Sequence, residues 1–212
     1  MSLLTDENKR QIGELLERMD EPVTIHTFTD DCETCEECLE FNREMAETSE
    51  LLSVEEHEFD GEAAEEYGAT KYDHGPVQVL EGGDVSGVNY FGLPTGQEIN
   101  SYITDIVELS TGDPDLSVDL IEAVQEIDEP VEITVFVTPT CPHCPGAVQT
   151  AHRFAMVNEH VTGEMIQSQE FMEVAQEYGV RGVPQINVNG SDGEFTGNLP
   201  PQQFLSEVKN AL

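Results

Sequence analysis

The sequence predicts an α/β protein made of two similar consecutive units, each a mixed β-sheet flanked by helices. Two observations lead there. The stretches "EPVTIHTFTDDCETC" at 21–35 and "EPVEITVFVTPTCPHC" at 129–144 share Glu-Pro-Val, a β-rich run, a Phe and a Cys-x-x-Cys pair. Further on, "EYGATKYDHGPVQVL" matches "EYGVRGVPQINV", and "FGLPTGQEINSYITDIVEL" loosely matches "GNLPPQQFLSEVKNAL". The spacing recurs as well, with 41 residues from Cys35 to Pro76 and 40 from Cys144 to Pro184. A period of about 108 residues is longer than any solenoid repeat, so it marks two homologous domains, 1–114 and 115–212. The second observation is that β-type runs alternate with helical patterns within each copy, which implies βαβ units.

The elements follow in order. Ile12, Leu15, Leu16 and Met19 stand at i, i+3, i+4 and i+7, the apolar stripe of an opening helix. In the second copy "SVDLIEAVQEID" takes that place, with Ser117 positioned to cap it. Strands rich in β-branched residues follow at 23–28 and 131–137, and each Cys-x-x-Cys stands where such a run meets a second helix. Next come a strand near 54–60 or 161–167, a short helix ending in Tyr-Gly, and a strand beginning at Pro76 or Pro184. A last strand and helix close each unit, and that final hairpin adds antiparallel pairing, so the sheet is expected to be mixed. The turn residues of "STGDPDLS", 110–117, form the boundary. Phe171, Tyr178 and the stripe Leu205, Val208 and Leu212 are expected in the core.

Composition narrows the class. The chain carries 44 Asp and Glu against 8 Lys and Arg, a formal charge of −36, so no basic patch able to neutralise several phosphates can be assembled, which argues against nucleic acid. The acids are spread among well-patterned apolar residues, which fits a solvated acidic surface and not a disordered tail. Self-repulsion at this charge density opposes compaction in dilute salt, whereas molar salt shortens the screening length to about 3 Å. A salt-adapted cytoplasm, that of a halophile, is therefore expected. No signal-like segment opens "MSLLTDENKRQIGELL" and no run of 18 apolar residues occurs, so no membrane is expected. In a cytoplasm thiols stay reduced, and the five cysteines read as chemistry or metal ligands before structural staples.

A lone Cys-x-x-Cys is a weak signal, but this one occurs twice at a strand-to-helix junction. With the first Cys at the helix N-terminus, unpaired N–H groups and the helix dipole would stabilise a thiolate, the nucleophilic form. The second Cys, one turn in, could then attack the mixed disulfide and release the partner.

At this point the residues resemble a family. "YGVRGVPQINV" with "TCPHC" upstream is similar to the thioredoxin fold, and the doubled arrangement, including "GVNYFGLPTGQEI", resembles the archaeal protein disulfide oxidoreductases, also called glutaredoxin-like proteins. The resemblance spans nearly the whole chain and implies two tandem thioredoxin-like domains. It further implies cis-prolines facing the cysteine pairs, Pro76 after Gly75 and Pro184 after Val183, which shape the substrate groove. Cys141 would attack and Cys144 resolve, with Cys32 and Cys35 repeating these roles. By the same resemblance no cofactor would be bound, and electrons would come from an NADPH-dependent thioredoxin-reductase-like flavoprotein. Few cations are available to hold the carboxylates of glutathione, so protein substrates are expected. Two departures stand out. The Trp that often precedes the first cysteine is replaced by Asp31 and Thr140, and the carboxylate usually found beneath the pair is replaced by Thr27 and Val135.

Rival readings are weaker. Paired zinc knuckles usually lie 15 to 20 residues apart, whereas Cys35 and Cys141 are separated by 106. Cys32, Cys35 and Cys38 suggest an iron–sulfur start, yet the fourth ligand would fall at Asn42. A redox-silent binding module leaves two intact dithiols unexplained. Cys38 reads as a small apolar residue, or else as a reserve resolving thiol. His26, His57, His74, His152 and His160 show no ligand spacing. The two pairs differ in charge: Asp30, Asp31, Glu33, Glu36 and Glu37 surround Cys32, while 137–148 holds no acid. Like charges disfavour a thiolate. Pro142 and His143, a dipeptide also found in strongly oxidising thioredoxin-fold enzymes, would favour one at Cys141, so the second site is expected to dominate.

Overall fold

A computed structural model describes residues 3–212. The first half runs α1 (Asp6–Leu16), β1 (Val23–Thr29), α2 (Cys35–Ala46), β2 (Leu52–Glu58), α3 (Glu62–Glu66), a 3-10 turn (Ala69–Lys71), β3 (Val77–Gly82), β4 (Val85–Phe91) and α4 (Glu98–Thr111). The second half repeats that order without the 3-10 turn: α5 (Val118–Gln125), β5 (Val131–Val137), α6 (Cys144–Val157), β6 (Val161–Gln167), α7 (Met172–Glu177), β7 (Gln185–Val188), β8 (Gly193–Thr196) and α8 (Pro201–Asn210). Two local expectations shift. α1 ends at Leu16, so Met19 packs from the following turn and Leu15 is left 43% exposed. Ser117 occupies the N-cap of α5 with extended backbone, but its hydroxyl makes no capping bond.

The halves do not keep separate sheets. All eight strands form one sheet in the order β2-β1-β3-β4-β6-β5-β7-β8. The seam is a parallel pairing of β4 with β6, from Val88 opposite Gly163 to Phe91 opposite Ile166. Glycine permits this close approach, since a Cβ on Gly87 would lie 2.9 Å from the Val161 carbonyl oxygen; Gly163 instead lets α6 sit close over β6, where a Cβ would lie 2.9 Å from the Ala151 carbonyl oxygen.

Pairing directions fix where the cysteines emerge. β1 is antiparallel to β3, β3 antiparallel to β4, β4 parallel to β6 and β6 parallel to β5, so β1 and β5 point the same way. Both Cys-x-x-Cys segments therefore leave the same end of one sheet. Four strand spacings separate β1 from β5, about 19 Å along the sheet.

Alternation along the strands splits the core. Val23 and Ile25 face a large cluster with α1, α2, α4, α5, α6 and α8, whereas Phe28, Val79, Phe91, Phe136 and Ile166 face a smaller one under α3 and α7. Buried polar groups also join the halves. His152 Nδ1 on α6 lies 2.6 Å from Asp105 Oδ2 on α4, which also accepts the Tyr90 hydroxyl, and Arg153 donates twice to Glu108 at 2.6 and 2.8 Å. On the opposite face Lys71 Nζ lies 2.5 Å from Glu132 Oε1 and 2.6 Å from Glu164 Oε2. Among the described residues no helix is long and apolar enough to cross a membrane.

Candidate active site

β1 delivers the chain into Asp30–Thr34, and α2 begins only at Cys35. The sequence places the first cysteine of each pair at a helix N-terminus; instead Cys32 and Cys141 lie in the turn before it, and Cys35 and Cys144 open α2 and α6. The reason is local. The Cys35 N–H reaches back to the Cys32 carbonyl at 3.4 Å, a turn contact, and the first α-helical bond here runs from Cys38 N–H to the Thr34 carbonyl. In the second pair Pro142 has no N–H to offer.

Both pairs are disulfides, with Cα separations of 5.3 Å for Cys32–Cys35 and 5.5 Å for Cys141–Cys144. Cys35 and Cys144 are buried, Cys32 is half-buried, and Cys141 is 8% exposed. Glu33, Pro142 and His143 are exposed between their cysteines. The Gly75–Pro76 and Val183–Pro184 peptides are cis. Pro76, Gly75 and Pro184 are buried and Val183 is half-buried. A Cβ built on Gly75 would lie 3.3 Å from Cys35 Sγ, so the proline loop presses directly on the first pair.

The surroundings of the two pairs differ. At the first, the Asp30 carboxylate is a hub: Oδ1 accepts the Cys32 N–H at 2.9 Å and lies 3.3 Å from Cys35 Sγ, while Oδ2 accepts the Gly75 N–H at 3.2 Å. Beneath the pair Thr27 accepts from Asn42, which accepts from Tyr102, a neutral chain with no carboxylate. A group from the other half also reaches in: Thr34, inside Cys-Glu-Thr-Cys, donates its hydroxyl to Glu170 Oε2 at 2.5 Å, and Glu170 accepts the Leu93 N–H. Cys38 is fully buried on α2, and burial pushes its thiol well above the ordinary value, helped by the charges of Glu170 and Glu37. It packs as an apolar residue.

At the second pair the cross-contact runs the other way. The Gln97 N–H at the head of α4 donates at 3.0 Å to the carbonyl of Pro139, two residues before Cys141. Gly96, at φ +62°, makes room, since a Cβ there would collide with that oxygen. Glu98 follows, 1% exposed, with its carboxyl pushed up from 4.5 to about 7 by burial and by Asp105, against the Ser101 hydroxyl that lowers it. Sequence reasoning misses Asp30, Glu98 and Glu170 as site residues. Only Asp30 carries a signal, its place two residues before the first cysteine.

A Thioredoxin domain model matches residues 131–210. The structure of a protein disulfide oxidoreductase from Aeropyrum pernix is 30% identical, with a TM-score of 0.87, covering 98% of this chain and 93% of that one. This chain belongs to the protein disulfide oxidoreductases. The family accounts for two disulfide-forming Cys-x-x-Cys pairs in one α/β chain of two thioredoxin-like units, and the protein is a thiol-disulfide oxidoreductase. Neither metal reading of the cysteines, nor a redox-silent module, is favoured beside these relatives. A structure from the alkylhydroperoxide reductase of Enterococcus faecalis is similar too, at 25% identity and a TM-score of 0.87, with 97% of this chain and 99% of that one covered. An alkyl hydroperoxide reductase component of Staphylococcus epidermidis is 25% identical over 207 residues, 97% of this chain and 38% of that protein. The chain thus spans well under half the length of the curated relatives it matches.

Proposed function

We propose that the protein exchanges disulfides with protein substrates mainly through its second pair. Cys141 is the attacking thiol, Cys144 the resolving thiol, and Pro184 with Val183 forms the edge on which substrate backbone docks. Cys32, Cys35, Pro76 and Gly75 form a second, slower copy, and the two units divide at 114/115. The observation that carries this reading is the contrast in charge. At the first pair a carboxylate oxygen lies 3.3 Å from Cys35 Sγ and Glu33 sits between the cysteines, whereas 137–148 contains no acid and His143 is available to support a thiolate at Cys141. A helix terminus is worth about 0.3 to 1 kcal/mol to a nearby charge at the surface, so several acids are enough to cancel it at Cys32.

Asp30 supplies what the neutral Thr27 cannot, a proton acceptor for the Cys35 thiol during resolution. Electrons come from an NADPH-dependent flavoprotein of thioredoxin-reductase type, a reading supported by the match to a protein named as part of a reductase. The acid excess supports a salt-adapted cytoplasm as the setting.

The test is insulin reduction by single-site variants together with the pH dependence of alkylation. Cys141→Ser should remove most turnover and Cys32→Ser little of it, with Cys141 alkylating at lower pH than Cys32. Molar salt should narrow that gap, because exposed charges more than a few ångströms apart are then screened. A Cys141→Ser variant with full turnover would move the principal site to the first half, and a Cys32 that alkylates first in low salt would remove the charge argument.

A further inference from the structure

Away from both cysteine pairs, the small-cluster face of the sheet holds two histidines that sequence spacing keeps apart. His26 lies on β1, and Glu55 and His57 lie on the edge strand β2, with His26 opposite Glu55 and Phe28 opposite His57 in parallel register. Residues two apart on a strand share a face, so all three side chains project to the same side.

Their ligand atoms converge. His26 Nδ1 is 3.1 Å from His57 Nε2, and Glu55 Oε2 is 3.6 Å from the first and 3.8 Å from the second. The point equidistant from these three atoms lies about 2.0 Å from each, the distance at which zinc binds imidazole nitrogen and carboxylate oxygen. The rings are held in place by stacking, Tyr67 over His26 with centroids 4.4 Å apart and Phe28 over His57 at 4.8 Å.

The far side of His26 is compatible with an ion on Nδ1. Its side chain is 6% exposed, and Nε2 has no hydrogen-bond partner among the described residues. That nitrogen lies 3.6 Å from Glu81 Oε2, a carboxylate itself fixed by the Tyr67 hydroxyl at 2.7 Å. Without an ion, the two facing nitrogens share one hydrogen, which leaves the His26 proton free to sit on either ring nitrogen. With an ion on Nδ1, the proton must reside on Nε2, aimed at Glu81, the carboxylate–histidine–metal arrangement common around bound zinc.

We propose that His26, His57 and Glu55 bind a zinc-type divalent cation, oriented by Glu81 and Tyr67. Glu55 is 60% exposed and His57 21%, so the remaining coordination position opens to water. The ion would fasten the edge strand β2 to β1, the strand that leads directly into the first cysteine pair.

The experiment uses the full chain with both pairs oxidised, because reduced Cys32 and Cys35 with Asp30 form a second cluster of possible ligands. Zinc is titrated calorimetrically in excess magnesium, which occupies the many surface carboxylates. Cobalt absorption in the visible range then reports the ligand geometry. One zinc per chain is expected, with low-symmetry four-coordinate cobalt bands. His57→Gln, at a half-buried position, and Glu55→Gln, at an exposed one, should each weaken binding by more than about tenfold, and Glu81→Gln by about tenfold. The absence of stoichiometric zinc binding under magnesium would overturn the assignment. So would an affinity unchanged in His57→Gln.

Discussion

Glu98→Gln should stabilise the protein at alkaline pH and leave it unchanged in acid. Glu98 is 1% exposed, its Oε2 accepts the Ser101 hydroxyl, and among the described residues Oε1 has no partner. Burial raises its carboxyl from 4.5 to about 7. In the unfolded chain the group titrates near its ordinary value, so the folded chain binds this proton more tightly. The associated stability is complete below about pH 4.5 and is lost as pH climbs through about 7. At about 1.4 kcal/mol per tenfold step, the gap between those values corresponds to about 3 kcal/mol. An amide resembles the protonated carboxyl, because it also keeps a neutral oxygen for Ser101. The variant should therefore match the parent in acid and gain up to about 3 kcal/mol by about pH 8.5. Urea unfolding of both proteins across this range, in molar salt to hold surface repulsion constant, measures the difference directly. A difference that stays flat with pH, or a variant less stable than the parent in alkali, would show that Glu98 is charged and satisfied in the fold.

Two further outcomes follow from the polar groups described. Lys71→Met leaves Glu164, whose side chain is 4% exposed, without its cation at the seam of the halves and should cost about 3 to 5 kcal/mol in urea unfolding; adding Glu164→Gln should restore most of it. Asp30→Asn, in a chain whose second pair is replaced by serines, should slow collapse of the mixed disulfide at Cys32 near neutral pH and make it rise about tenfold per pH unit, since hydroxide must replace the carboxylate; stopped-flow mixing at several pH values checks this, and an unchanged profile would remove Asp30 from the proton path.

What the sequence discloses here is set by range. β1 and β5 are readable because Val23–Thr29 and Val131–Val137 are β-rich runs punctuated by cysteines, and the matching Cys-to-Pro intervals disclose that the chain is doubled. The pairing of β4 with β6 is not readable, since main-chain hydrogen bonds between elements more than 70 residues apart leave no pattern beyond one permissive glycine. The helix starts slip by three residues because Cys-x-x-Cys forms a turn before the helix, a difference that propensity does not resolve. Asp30 reads as one of several acids near Cys32, and nothing local says that its carboxylate accepts the Gly75 N–H. His26 and His57 are separated by 31 residues and meet only through strand register.

The common orientation of β1 and β5 has a consequence for how the chain carries charge. Thiol–disulfide exchange needs its sulfurs in contact, and the strands that deliver these two pairs lie four places apart in one sheet, about 19 Å. A fully reduced chain therefore holds two electron pairs in reservoirs that do not drain into each other. Half-reduced molecules come in two kinds, one filled at the acidic end and one at the neutral end, and neither converts into the other without a third molecule as courier.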